Sequence, residues 1–145
     1  MHMPSTYEIP NNLYYTHNHE WARIIDNKIA TVGITFYAQD CMRGILSIET
    51  AQVGKRVKRN ESIATIETAK TVLDVFSPLN GEILDVNEDL VNKPILLGED
   101  PYGQGWLAKL RIDDIKEVKE LMNSKQYQRY VEQVPESVSS TQRFY

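Results

Sequence analysis

Between positions 14 and 110 the chain alternates short apolar, β-branched runs with clusters of turn residues, a strand rhythm rather than a helical one. The runs fall at 22–25, 29–34, 45–49, 56–58, 62–67, 72–76, 81–86 and 105–111. Helices do not alternate regularly with them, so the pattern predicts a mainly β, antiparallel domain rather than repeated βαβ units. Asp26 and Asn27 supply a hairpin turn between the first two runs. Apolar positions within the runs give the predicted core: Val32, Ile34, Ile63, Ile66, Val75, Ile83, Val86 and Leu107. Trp106, preceding Leu107, is expected to be at least partly buried.

The rhythm breaks in three places. Positions 35–42 read as one short helix, with Thr35 as N-cap, Gly44 as the stop, and Ala38 and Met42 on one face. Positions 87–97 read as loop with a helical turn, punctuated by Pro94 and Gly98. After Ile112 the spacing becomes helical: Asp114 and Glu117 form a capping-box pair ahead of Ile115, Val118, Leu121 and Met122. Ser124 is then expected to cap a second helix bearing Tyr127, Tyr130, Val131 and Val134, ended by Pro135. The resulting organisation is an N-terminal extension at 1–13, a β domain at 14–112, C-terminal helices of the same domain at 113–134, and a flexible tail at 135–145.

An internal repeat bears on function. Gly54, Val57, Asn60, Glu61 and Ile63 recur as Gly81, Leu84, Asn87, Glu88 and Leu90, each 27 positions later (81 − 54 = 27). Two related β pieces packed on one another are implied, and Lys70 lies midway along their connection. It stands in the segment Glu67, Thr68, Ala69, Lys70, Thr71 between two β-branched runs, so a tight turn projects it from a rigid base. A lysine in such a turn is ordinarily only a solubilising charge. It is also where a prosthetic group that must visit several enzymes would be tethered.

Composition narrows the alternatives. A chain of 145 residues supports one good core. The net charge of −4 argues against nucleic acid as a partner, and the basic group Lys55, Arg56, Lys58, Arg59 reads as a charged, solvated strand edge. No apolar window spans a bilayer and the first residues lack a signal-peptide order, so a soluble, cytoplasmic protein is expected. Cys41 is the single cysteine and is expected to be a buried structural thiol. His17 and His19 would share a face if they lay in a strand, but two histidines do not make a zinc site, and no metal is expected.

Several motifs together resemble one family. Glu67 and Lys70 are followed by Asp74-Val75, Ser77-Pro78, Gly81-Glu82-Ile83 and Val86-Asn87, a series similar to the lipoylation segment of glycine cleavage H proteins. His19-Glu20-Trp21, Thr31-Val32-Gly33-Ile34-Thr35 with Ala38-Gln39, and Asp100-Pro101-Tyr102-Gly103 with Gly105-Trp106-Leu107 are similar to H-protein signatures in the same order. The resemblance implies a barrel-sandwich hybrid with a short helix on the N-terminal side and helices at the C-terminus. It implies lipoic acid in amide linkage on Lys70, with Glu67 recognised during lipoylation. It also implies that Glu20 and Asp74 line a cleft holding the amine of the loaded arm.

By the same resemblance the protein is a carrier rather than an enzyme; a monomer is expected. Its partners would be glycine decarboxylase, an aminomethyltransferase, dihydrolipoamide dehydrogenase, and a lipoate ligase or octanoyltransferase. Ala69 stands where H proteins usually have valine, and Ile45 and Thr50-Ala51-Gln52 depart from the family pattern. These departures leave open an H-like lipoate-binding protein of sulfur-compound oxidation, or an unmodified interaction module. A biotin carrier is disfavoured, because the tip reads Ala69-Lys70-Thr71 rather than Met-Lys-Met.

Overall fold

The computed structural model describes residues 7–42 and 44–133. Its strands are β1 (Tyr14–Tyr15), β2 (Glu20–Ile25), β3 (Ile29–Ile34), β4 (Ile45–Thr50), β5 (Arg56–Val57), β6 (Ser62–Thr68), β7 (Val72–Phe76), β8 (Gly81–Val86) and β9 (Ala108–Ile112). All the pairings among them are antiparallel. One sheet runs β1-β2-β3-β9-β8-β5 and the other β4-β6-β7, and the main apolar core draws side chains from both. This is the expected barrel-sandwich hybrid.

Local chemistry explains the register. Asp26 and Asn27 both adopt positive φ, the primed-turn geometry whose twist suits a hairpin. Around the internal repeat, β5 faces β8 with Arg56 opposite Glu82 and Val57 opposite Gly81. Gly54 N donates to Ile83 O and Ile83 N to Lys55 O. The two halves therefore meet strand to strand. β5 is also an edge strand, with Arg56 paired to Asp113 and Arg59 to Glu120, so the basic group is a solvated edge as expected.

The predicted core positions are buried except Val86, which is half-buried at the end of β8 just after a register shift in the β8–β9 ladder. Such an irregularity re-aims the side chains beyond it. Trp106 is half-buried as expected, but β9 begins only at Ala108. Asn87 explains the delay, because its Nδ2 donates to both Gln104 O and Trp106 O and holds that segment as a turn.

The helices bring corrections. Helix α1 (Phe36–Cys41) has Thr35 as N-cap, with its hydroxyl accepting from Ala38 N, and it buries Ala38. Cys41 is only half-buried, since it closes this short helix at the margin of an aromatic cluster rather than inside it. Positions 87–97 hold two short helices, α2 (Glu88–Asn92) and α3 (Leu96–Glu99), the first capped by Asn87. The segment Ile115–Glu120 is a 3-10 helix, not an α-helix. Its predicted capping box fails because Glu117 reaches instead to Asn80, accepting from its N at 3.1 Å and its Nδ2 at 2.6 Å. Helix α4 (Ser124–Gln133) is capped by Asn123 rather than Ser124, through reciprocal bonds between Asn123 and Gln126. Val134, Pro135 and the tail lie outside the described residues.

A second cluster joins Leu13, Tyr15, Trp21, Tyr37, Tyr102, Tyr127 and Val131, and it binds the segment before β1 and α4 to the sheet. Trp21 lies flat against its cross-strand partner Gly33, where an added Cβ would sit 2.6 Å from the indole Cζ2. Gly33→Ala is therefore expected to destabilise the protein by about 1–3 kcal/mol through overpacking. Chemical unfolding monitored by tryptophan fluorescence measures this, and an unchanged midpoint would contradict the packing.

Candidate functional site

The β6–β7 hairpin builds the site from its tip downward. Glu67 pairs with Val72, leaving Ala69 and Lys70 as the loop tip, both exposed. Neither has positive φ, so the primed turns that normally close two-residue hairpins are not used here. The tip is held differently. Thr68 N donates to Thr71 O at 2.8 Å, while the Thr68 hydroxyl accepts from Lys70 N at 3.2 Å and from Thr71 N at 3.1 Å. The same hydroxyl lies 3.1 Å from Thr71 O, to which it donates, and Ala69 N is bonded to Gly44 O. The main chain at Lys70 is therefore anchored on two sides, while its ammonium takes part in neither of the described ion pairs.

The other predicted residues are spread along the hairpin. Glu67 is exposed, and its Oε1 accepts from Ser47 Oγ on β4 at 2.9 Å. Asp74 is also exposed, four residues and roughly 13 Å of strand from the lysine at about 3.3 Å per residue. Its Oδ1 accepts from Ser62 Oγ at 3.0 Å and lies 3.4 Å from Thr65 Oγ1. Glu20, by contrast, is 2 % exposed. Its Oε1 accepts from Thr16 Oγ1 at 2.6 Å and its Oε2 from Phe76 N at 3.2 Å.

Phe76 is paired with Ser62, the residue bonded to Asp74. The two acids thus serve the same base of the hairpin, one inside and one outside, with Lys70 at the opposite end. Burial pushes the Glu20 carboxyl up to about 7, against the opposing pull of the Thr16 hydroxyl and the Phe76 amide.

Beside Glu20, His19 is buried and adopts φ +69. Its Nδ1 lies 2.9 Å from Tyr127 Oη, which in turn lies 2.7 Å from Thr35 Oγ1. His17 and His19 occupy a turn rather than a strand, and no group of three metal-ligating side chains occurs among the described residues. A shallow apolar groove of about 460 Å³ adjoins the tip, lined by Met42, Gly44, Ile45, Leu46, Pro94 and Ile95 among others.

Sequence reading missed Thr68, Thr16 and the Phe76 amide. Thr68 could have been found, because a two-residue loop without Gly, Asn or Asp needs some other group to close it.

The profile of the glycine cleavage H-protein family matches residues 13–134. The chain belongs to that family. The H protein of the glycine cleavage system from Halothermothrix orenii is 42% identical over 126 residues, covering 87% of this chain and 98% of that protein. A probable glycine cleavage system H protein 1 from Sulfolobus acidocaldarius is 46% identical over 121 residues, covering 83% and 87%. The crystal structure of a glycine cleavage system H protein from Mycobacterium marinum superposes with a TM-score of 0.76 at 32% identity, over 86% of this chain and 98% of that one. The H-protein family is one of carriers, and no helix among the described residues is long and apolar enough to cross a membrane.

Glu20 gives this family member a measurable pH response. Its folded value near 7 stands above the ordinary 4.5, so between these the folded protein holds a proton that the unfolded chain releases. Stability from this group is present below 4.5 and is lost as the pH rises towards 7, by up to about 3 kcal/mol. Glu20→Gln lacks this loss. The unfolding free energy of wild type minus that of the variant should fall across the window, and a constant difference would remove the buried carboxyl as its cause.

Proposed function

We propose that this glycine cleavage H protein bears lipoic acid in amide linkage on Lys70 and carries an aminomethyl group between the component enzymes. The observation that carries the reading is the tip itself, an exposed amine with no ion pair among the described residues, on a main chain tied to both Thr68 and Gly44. When attached, the group supplies a disulfide that accepts the cargo and is afterwards reoxidised. The protein's own part is to present the amine, to give an apolar arm a place beside Met42, Ile45 and Ile95, and to hold cationic cargo.

Glu67 is the acid that a lipoate ligase or octanoyltransferase would read, three residues before the lysine and on the open face of the sheet. Asp74 and Glu20 serve the cargo differently. Asp74 keeps Oδ2 without a described partner, so it can accept a bond from an ammonium, whereas both Glu20 oxygens already serve Thr16 and Phe76. We therefore give the direct contact to Asp74 and assign Glu20 to the shape of the strand that presents it.

Glycine decarboxylase, the aminomethyltransferase and dihydrolipoamide dehydrogenase are the partners this role requires, and the chain itself is not the catalyst. The sulfur-oxidation alternative is not favoured, since the family profile and the relatives named above belong to glycine cleavage.

Peptide mass mapping after reaction with lipoate ligase is expected to place one lipoyl group on Lys70, and none in Lys70→Ala. A label on Lys55 or Lys58, or one that survives Lys70→Ala, would refute the assignment. The double variant Glu20→Gln, Asp74→Asn should accept lipoate normally yet lose its cargo several-fold faster, as expected for a partly exposed charge pair of about 1 kcal/mol. Asp74→Asn alone should account for most of that change, and unchanged release in both variants would remove the acids from the mechanism.

A further inference from the structure

The turn that carries Lys70 lacks the main-chain bond that usually closes a β-turn. Thr68 N reaches Thr71 O, but the amide of Thr71 is received by the Thr68 hydroxyl, and so is the amide of Lys70. Both tip residues keep negative φ, which leaves no primed turn to set the loop by backbone preference alone. Thr68 is 8 % exposed, so water competes poorly for its hydroxyl, and that one oxygen is the junction of three bonds.

We propose that Thr68 is the positioning residue that fixes Lys70 for modification, its hydroxyl receiving the Thr71 amide in place of the Thr68 carbonyl that would normally close the turn. The inference rests on Lys70 being the lipoylated residue. Thr68 does not touch the transferred group. It acts through the Lys70 and Thr71 amides, which it holds in one orientation, so that the lysine Cα and its stem leave the hairpin in a fixed direction. A transferase that must bring one amine against an activated acyl group gains from such a preset approach. Glu67 lies on the strand immediately before Thr68, so loosening the turn also changes the spacing between Glu67 and the amine.

Thr68→Val and Thr68→Ser separate the hydroxyl from the methyl and the volume. With purified lipoate ligase, ATP and lipoate, intact mass gives the rate of addition. Thr68→Val should lower kcat/KM of the ligase about tenfold, as for the loss of one to two net hydrogen bonds, whereas Thr68→Ser should stay within about threefold of wild type. Amide hydrogen exchange supplies a second readout that needs no modification: Lys70 and Thr71 should exchange faster in Thr68→Val, while Ile66 and Val75 in the same hairpin stay protected.

Modification of Thr68→Val at the wild-type rate would overturn the proposal. So would a Thr68→Ser as slow as Thr68→Val, or unchanged exchange at Lys70 and Thr71. Loss of protection at Ile66 and Val75 would mark a general fold defect and would also overturn it. A wild-type chain that accepts no lipoyl group at Lys70 would instead remove the reading on which this rests, recognisable because wild type itself fails.

Discussion

Three consecutive side chains, His19, Glu20 and Trp21, bind this fold together because all three are buried and each has to be satisfied by a different distant element. His19 reaches α4 through Tyr127, Glu20 reaches the end of β7 through the Phe76 amide, and Trp21 donates its indole N–H to Pro101 O at 3.0 Å. A buried polar group without a partner costs on the order of 1–3 kcal/mol, so these partners cannot drift apart independently. The sites they fix include the Phe76 end of the Lys70 hairpin's base. Strain at His19, held at positive φ, is the local cost of placing the three in succession.

Much of this was legible in the residues, for physical reasons that differ by element. Strands β3, β7 and β8 coincide with their predicted bounds, since β-branched runs flanked by turn residues leave little freedom. Lys70 at an exposed tip was also readable, from the repeat on either side and the hairpin between. What could not be read was the long-range partner of a polar side chain. Glu117 fits a capping box by spacing alone, yet Asn80, 37 residues away in sequence, offers it two donors and wins. Glu20 likewise has the sequence of a surface acid in a strand. Only the packing of the turn at Thr16 over the end of β7 reveals that both its oxygens are occupied.

The same contrast divides Asp74 and Glu20. Asp74 and Glu20 are linked through the Ser62–Phe76 pair, but one faces solvent and the other is enclosed. Their shared negative charge hides two different environments. An enclosed carboxyl whose value is lifted to about 7 responds to pH and to packing, whereas an exposed one responds to salt and to whatever cation approaches.

A lysine tip fastened through Thr68 and Gly44 has a thermodynamic consequence for association. Ordering a loose backbone costs about 1–2 kcal/mol per residue, whereas immobilising one long side chain costs roughly 2 kcal/mol at most. Because the four residues from Thr68 to Thr71 are already ordered before any encounter, the entropy lost when the tip enters a cavity falls mainly on the rotors of one extended arm. The tip can thus enter a cavity with little conformational penalty from its own main chain.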